Sequence, residues 1–279
     1  MNPTPRHAPR AIAAVESTME FADRHAGRPA IYLDETASPA TRRSGRFETR
    51  PVTVENVRPI ARALSLDREG FALMPHTSSV TDFYDETAIK DVYVPELERL
   101  IGALMGAKRV LMFDHTRRTG PREDTGGLRT REPVRRIHND YSEKSGPRRM
   151  LDLIGEPEAA LQRGRRFAIV NVWRPMRGPL QETPLGLCDA TTVRAADWIE
   201  TDQVYRDRVG ETYCLAWAPE QRWYYAPDMT PEEIILIKSY DSALDGRARF
   251  CAHSAFDDIT APADAPPRAS IEARLLALF

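Results

Sequence analysis

The 279-residue sequence predicts a mainly β fold with antiparallel strands, and three observations carry that prediction. Past Val134, short apolar stretches recur at Val134–Ile137, Arg166–Trp173, Thr212–Ala218, Arg222–Ala226, Ile234–Tyr240, Arg249–His253 and Ala269–Leu278. Turns carrying Gly or Pro separate most of them. Few helical patterns lie between them. Together these point to a sandwich, barrel or jelly roll.

The N-terminal part reads differently. Residues 1–28 mix Pro, Arg and Ala and read as an arm or a short helix. Ala30–Asp34 reads as a strand, Ser38–Arg50 as an Arg-rich loop, and Leu66–Ser79 as irregular chain. The best helix runs from Pro95 to Met105, with Leu97, Leu100, Ile101, Leu104 and Met105 on one face and Gly106 as its C-terminal cap. Arg109–Phe113 follows as a buried strand. Thr116–Arg131 is the most loop-like stretch, a candidate mobile segment over a site. One catalytic domain, residues 1–279, is expected: a mixed α/β part over 1–130 wraps a β core over 131–279.

Composition excludes several classes. Hydrophobic residues make up 42% and charged residues 29%, so wholesale disorder is excluded. The longest apolar runs, such as Ile234–Ile237, are far short of a membrane span. The first twenty residues carry Arg6, His7, Arg10 and Glu16 with no apolar block, so no secretory signal is expected. A net charge of −2 gives no bulk electrostatic footprint for nucleic acid. Cys188, Cys214 and Cys251 are odd in number and widely spaced, which suits neither a disulfide framework nor a zinc knuckle and fits a reducing cytoplasm. Only four of the 39 basic residues are lysines; codon bias in a GC-rich genome is the preferred reading, and carboxylate or phosphate recognition by guanidinium forks applies to a few arginines only. The N-terminal arm would suit a homodimer, which the sequence does not establish.

Three weak signals line up as chemistry. In the stretch Arg136–Asp140, His138 and Asp140 lie two apart, so in an extended strand they project to one face. Taken alone, an H-x-D is more often a surface pair. His253 ends an apolar strand 115 residues later, where a satisfied core histidine is the plain alternative. Two histidines and one carboxylate form the facial triad that binds non-haem Fe(II) and leaves three positions open, enough for a chelating 2-oxo acid and O₂. Arg268 and Ser270 open the last strand, 15 residues past His253. Period-two alternation puts Arg268, Ser270, Glu272 and Arg274 on one face and Ala269, Ile271, Ala273 and Leu275 on the other. A guanidinium fork with a hydroxyl beside it suits a distal carboxylate; a solvated Arg–Glu–Arg ladder is the competitor. The order H-x-D, distant His, R-x-S resembles the layout of iron- and 2-oxoglutarate-dependent oxygenases on the double-stranded β-helix, a cupin-like jelly roll.

A closer resemblance rests on several motifs: Phe113–Arg117, His138–Arg149, Asn171–Pro175 with Pro184–Asp189, Gln221–Tyr225, Lys238–Ser242, Arg249–Phe256 and Pro267–Arg274. Across roughly residues 50–279 the sequence resembles the family containing the cephamycin 7α-hydroxylase component, the fungal meroterpenoid endoperoxide-forming oxygenase and aspergillic-acid-type hydroxylase/desaturases. The resemblance implies Fe(II), 2-oxoglutarate and O₂, release of succinate and CO₂, and a small natural-product substrate. It implies hydroxylation, desaturation or endoperoxidation without choosing among them. Under it, His138, Asp140 and His253 are the iron ligands, and Arg268, Ser270 or Arg274 anchors 2-oxoglutarate. Tyr141 and Arg174 are further candidates for the co-substrate, Arg174 alternatively pairing with Asp189. His115 and His76 read as packing or substrate-facing residues.

Two rival readings remain at this point. A cupin-type isomerase or dioxygenase would use the same ligands without 2-oxoglutarate and would not need Arg268 and Ser270. A non-catalytic binding protein would hold no metal. A serine hydrolase is excluded by the lack of a GxSxG elbow.

Overall fold

The computed structural model describes residues 10–33, 43–120 and 130–279. Among the described residues the chain forms a jelly roll of two stacked, mostly antiparallel sheets. The first sheet runs from edge to edge as β1 (Ala14–Ala22), β4 (Phe47–Asn56), β12 (Trp223–Tyr225), β9 (Leu185–Cys188), β14 (His253–Ala255), β7 (His138–Asn139), β11 (Val209–Leu215), β10 (Trp198–Val204), β2 (Ala30–Tyr32) and β3 (Arg43–Ser44). The second runs as β5 (Phe71–Pro75), β13 (Glu233–Asp241), β8 (Phe167–Pro175), β15 (Ala269–Leu278) and β6 (Arg109–Thr119). Strands from both sides of residue 130 pair in both sheets.

Three clusters of apolar side chains hold these layers. Leu97 and Ile101 of α2 (Val94–Met105) pack with Ile271, Ala273 and Leu275 on the outer face of β15. A short α1 (Glu86–Ala88) and a π-helical turn lead into α2, and Gly106 closes it in the left-handed conformation, φ 68°, that only glycine adopts without cost. Between the sheets, Leu185 and Leu187 meet Trp173, Ile235 and Ile237. Val15, Met19 and Phe21 of β1 join Val52, Val54 and Trp223. The alternation expected of β15 is present, and its polar face is buried rather than solvated: Arg268, Ser270 and Glu272 are all at most 5% exposed. That disposes of the solvated-ladder alternative.

Several expectations for the N-terminal part need correction. Residues 1–28 contain neither arm nor helix over their described portion, because β1 pairs with β4 along its whole length, from Ala14–Glu55 to Ala22–Phe47. Its buried Val15, Met19 and Phe21 alternate with polar residues, and charged outer positions disguise the strand in sequence. Ser38–Arg50 is not all loop, since β4 starts at Phe47. Leu66–Ser79 is not all irregular, since Phe71–Pro75 pairs with β13. The loop at Thr116–Arg131 is shorter than expected: β6 continues to Thr119 against β15. Residues 121–129 of that segment lie outside the described residues.

The β core also departs in detail. Val134–Ile137 is not a strand; the ladder begins at His138, and Arg136 makes only a bridge to Glu20. Arg249–His253 shifts to His253–Ala255. The short β9, the polar β10 and the helix α3 (Ser145–Leu161) have no clear counterpart in the sequence pattern. Gly146 in the first turn of α3 lies so close to the Tyr240 ring that a Cβ would stand 2.4 Å from it. No helix among the described residues is long and apolar enough to cross a membrane.

Candidate active site

β7 and β14 are neighbours in the first sheet, and their pairing sets His138 directly opposite His253. The imidazole centroids are 4.6 Å apart. Asp140 lies one residue beyond β7 and brings Oδ1 to 3.6 Å from His138 Nε2. One candidate ligand atom from each of His138, Asp140 and His253 falls within 4.8 Å of the others. The three residues predicted from spacing are therefore brought together.

Each side chain is held for one job. His138 Nδ1 bonds the Arg136 carbonyl at 2.8 Å, and His253 Nδ1 bonds the Cys251 carbonyl at 3.0 Å. A carbonyl only accepts, so both Nδ1 atoms carry the proton and both Nε2 lone pairs are free. Burial, with His253 and Arg136 nearby, pushes the His138 pKa well below its ordinary value, so the ring is neutral. Burial pushes the Asp140 carboxyl up, but the charge and hydrogen bond of Arg274 outweigh it and hold the group well below the usual carboxylate range. The Nε2 atoms of His138 and His253 and the ionised Asp140 carboxylate, facing inward, are a donor set that fits a divalent iron.

Asn139, between His138 and Asp140, carries no signal that singles it out in the sequence. Its Nδ2 donates to the Tyr141 and Ser239 carbonyls at 2.7 and 2.8 Å, and its Oδ1 accepts from the Cys251 amide at 3.1 Å. One buried amide thus links β7, the opposite sheet and the chain entering β14. Asn171 does carry a signal that the sequence reading missed, as the lone amide in the apolar run of β8. It donates to Asp140 Oδ2 and Glu272 Oε1, both at 2.8 Å.

A small cleft opens beside His138 and His253, lined also by Arg118, Val134, Leu185, Ala255, Arg268 and Glu272. Arg268 donates from Nε to Ser270 Oγ and from Nη1 to the Thr183 carbonyl, both at 3.0 Å, and lies 5.1 Å over the Trp173 ring. Among the described residues no carboxylate pairs with it. Burial and the neighbouring Arg118 push its pKa down to about 9. A buried guanidinium without an anion is costly, and a ligand carboxylate is the group that would relieve it. Ser270 sits beside it as expected. Arg118 escapes sequence reasoning because its stretch is loop-like in composition; as the end of β6 it stands opposite Ser270.

The other candidates lie elsewhere. Arg274 is engaged by carboxylates already: Nε to Asp140, Nη2 to Glu272 and Nη1 to Asp114, at 2.8, 2.9 and 3.1 Å. Arg174 does not face the cleft. It pairs with Ile271 across β15, so alternation turns it to the outer face, against Phe83, Tyr93 and His76. Nor does it meet Asp189, which pairs with Arg222. Tyr141 does not line the cleft; it packs with the stacked rings of Phe167 and Tyr240. His115 faces Glu86 at 3.3 Å. The stretch 66–79 supplies none of the residues that line the cleft.

Comparison with known proteins agrees with this geometry. A family described as an oxidoreductase/YMDC permease-like domain matches residues 19–278. The chain is 32% identical over 256 residues to the hydroxylase/desaturase efuI of Hormonema carpetanum, covering 84% of this chain and 85% of the relative. It is 35% identical over 254 residues to the hydroxylase/desaturase CTB9 of Cercospora beticola, covering 82% and 76%. The solved structure of the iron and alpha-ketoglutarate-dependent endoperoxidase NvfI superposes with a TM-score of 0.84 at 25% identity, over 95% of this chain and 98% of that one.

Proposed function

The chain belongs to the Fe(II)/2-oxoglutarate-dependent oxygenase family that holds these hydroxylase/desaturases and the endoperoxidase, and from that premise we propose the roles of its site residues. It is a non-haem dioxygenase that uses Fe(II), 2-oxoglutarate and O₂. His138, Asp140 and His253 hold the iron. Arg268 and Ser270 hold the distal carboxylate of 2-oxoglutarate. When bound, the iron couples the oxidative decarboxylation of 2-oxoglutarate to succinate and CO₂ with hydrogen removal from an unactivated C–H bond.

The protein's own contribution is placement. The Arg136 and Cys251 carbonyls fix the tautomer and aim of the two imidazoles. Arg268, backed by Trp173, sets how far the co-substrate reaches from the metal. Arg118 adds a second positive charge to the cleft and favours entry of a dianion. Val134, Leu185 and Ala255 give an apolar wall suited to a hydrocarbon part of a small natural product. Hydroxylation, desaturation and peroxidation share these parts. All three cysteines are buried and unpaired, which supports a reducing, cytoplasmic setting. A homodimer is a separate proposal, tested by light scattering.

One observation carries the reading: His138 and His253, which meet Asp140, line the same cleft as a buried guanidinium that no carboxylate among the described residues pairs with. A cupin-type enzyme without 2-oxoglutarate gives Arg268 nothing to bind. The test is anaerobic addition of Fe(II), then 2-oxoglutarate, to the metal-free protein. A weak visible charge-transfer band is expected, absent in His138→Ala. Iron uptake without a band would favour the cupin reading, and no uptake would end the ligand assignment.

A further inference from the structure

We propose that Arg274 is the positioning residue of the Asp140 carboxylate, restricting it to a single ligating oxygen. The proposal rests on His138, Asp140 and His253 being the iron ligands. Asp140 Oδ2 accepts two hydrogen bonds, from Arg274 Nε and from Asn171 Nδ2, each at 2.8 Å. Two donors, one of them charged, engage the lone pairs of that oxygen. The other oxygen, Oδ1, faces His138 Nε2. The carboxylate is therefore divided: one oxygen belongs to the protein and one is presented to the metal.

Arg274 is itself held against leaving. Its Nη2 donates to Glu272 Oε1 at 2.9 Å, and its Nη1 to Asp114 Oδ2 and Thr116 Oγ1 at 3.1 and 3.2 Å. Asn171 returns to the same Glu272 oxygen. β6, β8 and β15 thus fix one guanidinium whose partners are already satisfied, in contrast to Arg268, which has no carboxylate. One-oxygen ligation matters because a carboxylate that gave both oxygens would take a fourth position and leave two rather than three.

The experiment is an anaerobic titration of the full chain with Co(II), a spectroscopic substitute for Fe(II), with the melting of the metal-free forms measured alongside. Arg274→Met should weaken Co(II) binding by about 10–100-fold and alter the visible absorption of the bound ion. Arg274→Lys should recover part of the affinity, since it returns the charge without the planar fork that reaches Asp140, Glu272 and Asp114 together. Folded Arg274→Met that binds Co(II) as tightly as wild type would overturn the proposal. So would an unchanged Co(II) affinity combined with lost 2-oxoglutarate binding, which would make Arg274 a co-substrate anchor. If Arg274→Met does not fold, Asn171→Ser decides: weaker Co(II) binding supports the proposal, and wild-type binding overturns it. Wild-type protein that takes up no Co(II) would remove the ligand assignment and the proposal with it, whereas a defect missing only from the variants removes the proposal alone.

Discussion

His138 and His253 stand directly opposite one another across two short adjacent strands, His138–Asn139 and His253–Ala255, with ring centroids 4.6 Å apart. The pairing of β7 with β14, rather than any loop, brings together residues 115 positions apart in the chain. Because strand pairing fixes both imidazoles, removing either should leave the fold and empty the metal site. His138→Ala and His253→Ala are each expected to melt near the wild-type metal-free protein while losing stoichiometric iron and turnover. Iron analysis after anaerobic loading checks this; full iron occupancy in either variant would remove it from the ligand set. A strong Fe(II) chelator should abolish wild-type activity, and added Fe(II) should restore it.

In the proposed function Arg268 supplies a charged bond to the co-substrate and none to the substrate. Charge-assisted hydrogen bonds contribute about 1.5–3 kcal/mol, so Arg268→Ala should raise the apparent 2-oxoglutarate KM by roughly 10–150-fold. The KM for the organic substrate should move little. A 2-oxo acid without a distal carboxylate should lose nothing further in the variant. Steady-state kinetics with both acids decide the point; equal losses for the two would mean that Arg268 does not contact the distal carboxylate.

Lys238, Asp241 and Arg166 form a buried charge cluster away from the site. Lys238 Nζ is 2.7 Å from Asp241 Oδ2, and Arg166 bonds both oxygens at 2.6 and 3.0 Å. Burial pushes the Asp241 carboxyl up, but Arg166 and Lys238 hold it below its usual value. The folded-state value is thus below the unfolded one, about 3.9. The folded state releases the proton more readily, so this stabilisation is complete above about pH 4 and is lost as pH falls through the folded value. Asp241→Asn leaves Lys238 with the half-exposed Asp67 as its carboxylate, 2.8 Å away, so it should cost less than the roughly 3–5 kcal/mol of a buried charge left wholly unpaired at pH 7. Urea unfolding across pH 3–7 tests both parts. A wild-type advantage that stays constant down to the lowest pH would contradict a depressed carboxyl in the folded state.

Asn139→Ala should strand three backbone groups at once: the Cys251 amide and the Tyr141 and Ser239 carbonyls. Each buried group left unpaired costs about 1–3 kcal/mol. Because Cys251 also orients His253, the variant should lose iron affinity as well as stability. Loss of stability with wild-type iron affinity would limit Asn139 to a purely architectural part.

The sequence carried the chemistry further than the architecture. The H-x-D and distant His lead to three residues that meet, and the R-x-S leads to an arginine on the cleft with its serine hydrogen-bonded to it, because strand alternation is a strict geometric rule. β15 has the predicted bounds, since its apolar half is continuous. β1 and β10 are illegible because one face of each is charged or polar, so they resemble linkers until a partner strand is present. Arg274 and Arg268 have the same local pattern, two on one face of one strand. Only the surrounding carboxylates distinguish them, and these come from strands far away in sequence. Arg174 shows the limit from the other side: its motif is family-like, but one residue of register turns it away from the cleft.

Ala255 lies two residues beyond His253 and pairs across the ladder with Leu185, while His253 pairs with Leu187. Both members of the first pair line the cleft. The headroom of the cleft beside His138 and His253 is thus written in the volumes of two side chains whose backbone positions the sheet already dictates. Enlarging one or trimming the other would re-aim a bound molecule while leaving every ligand in place. Enzymes with different products can therefore diverge from a common ancestor by small steps at such a pair, without passing through a form that has lost its iron.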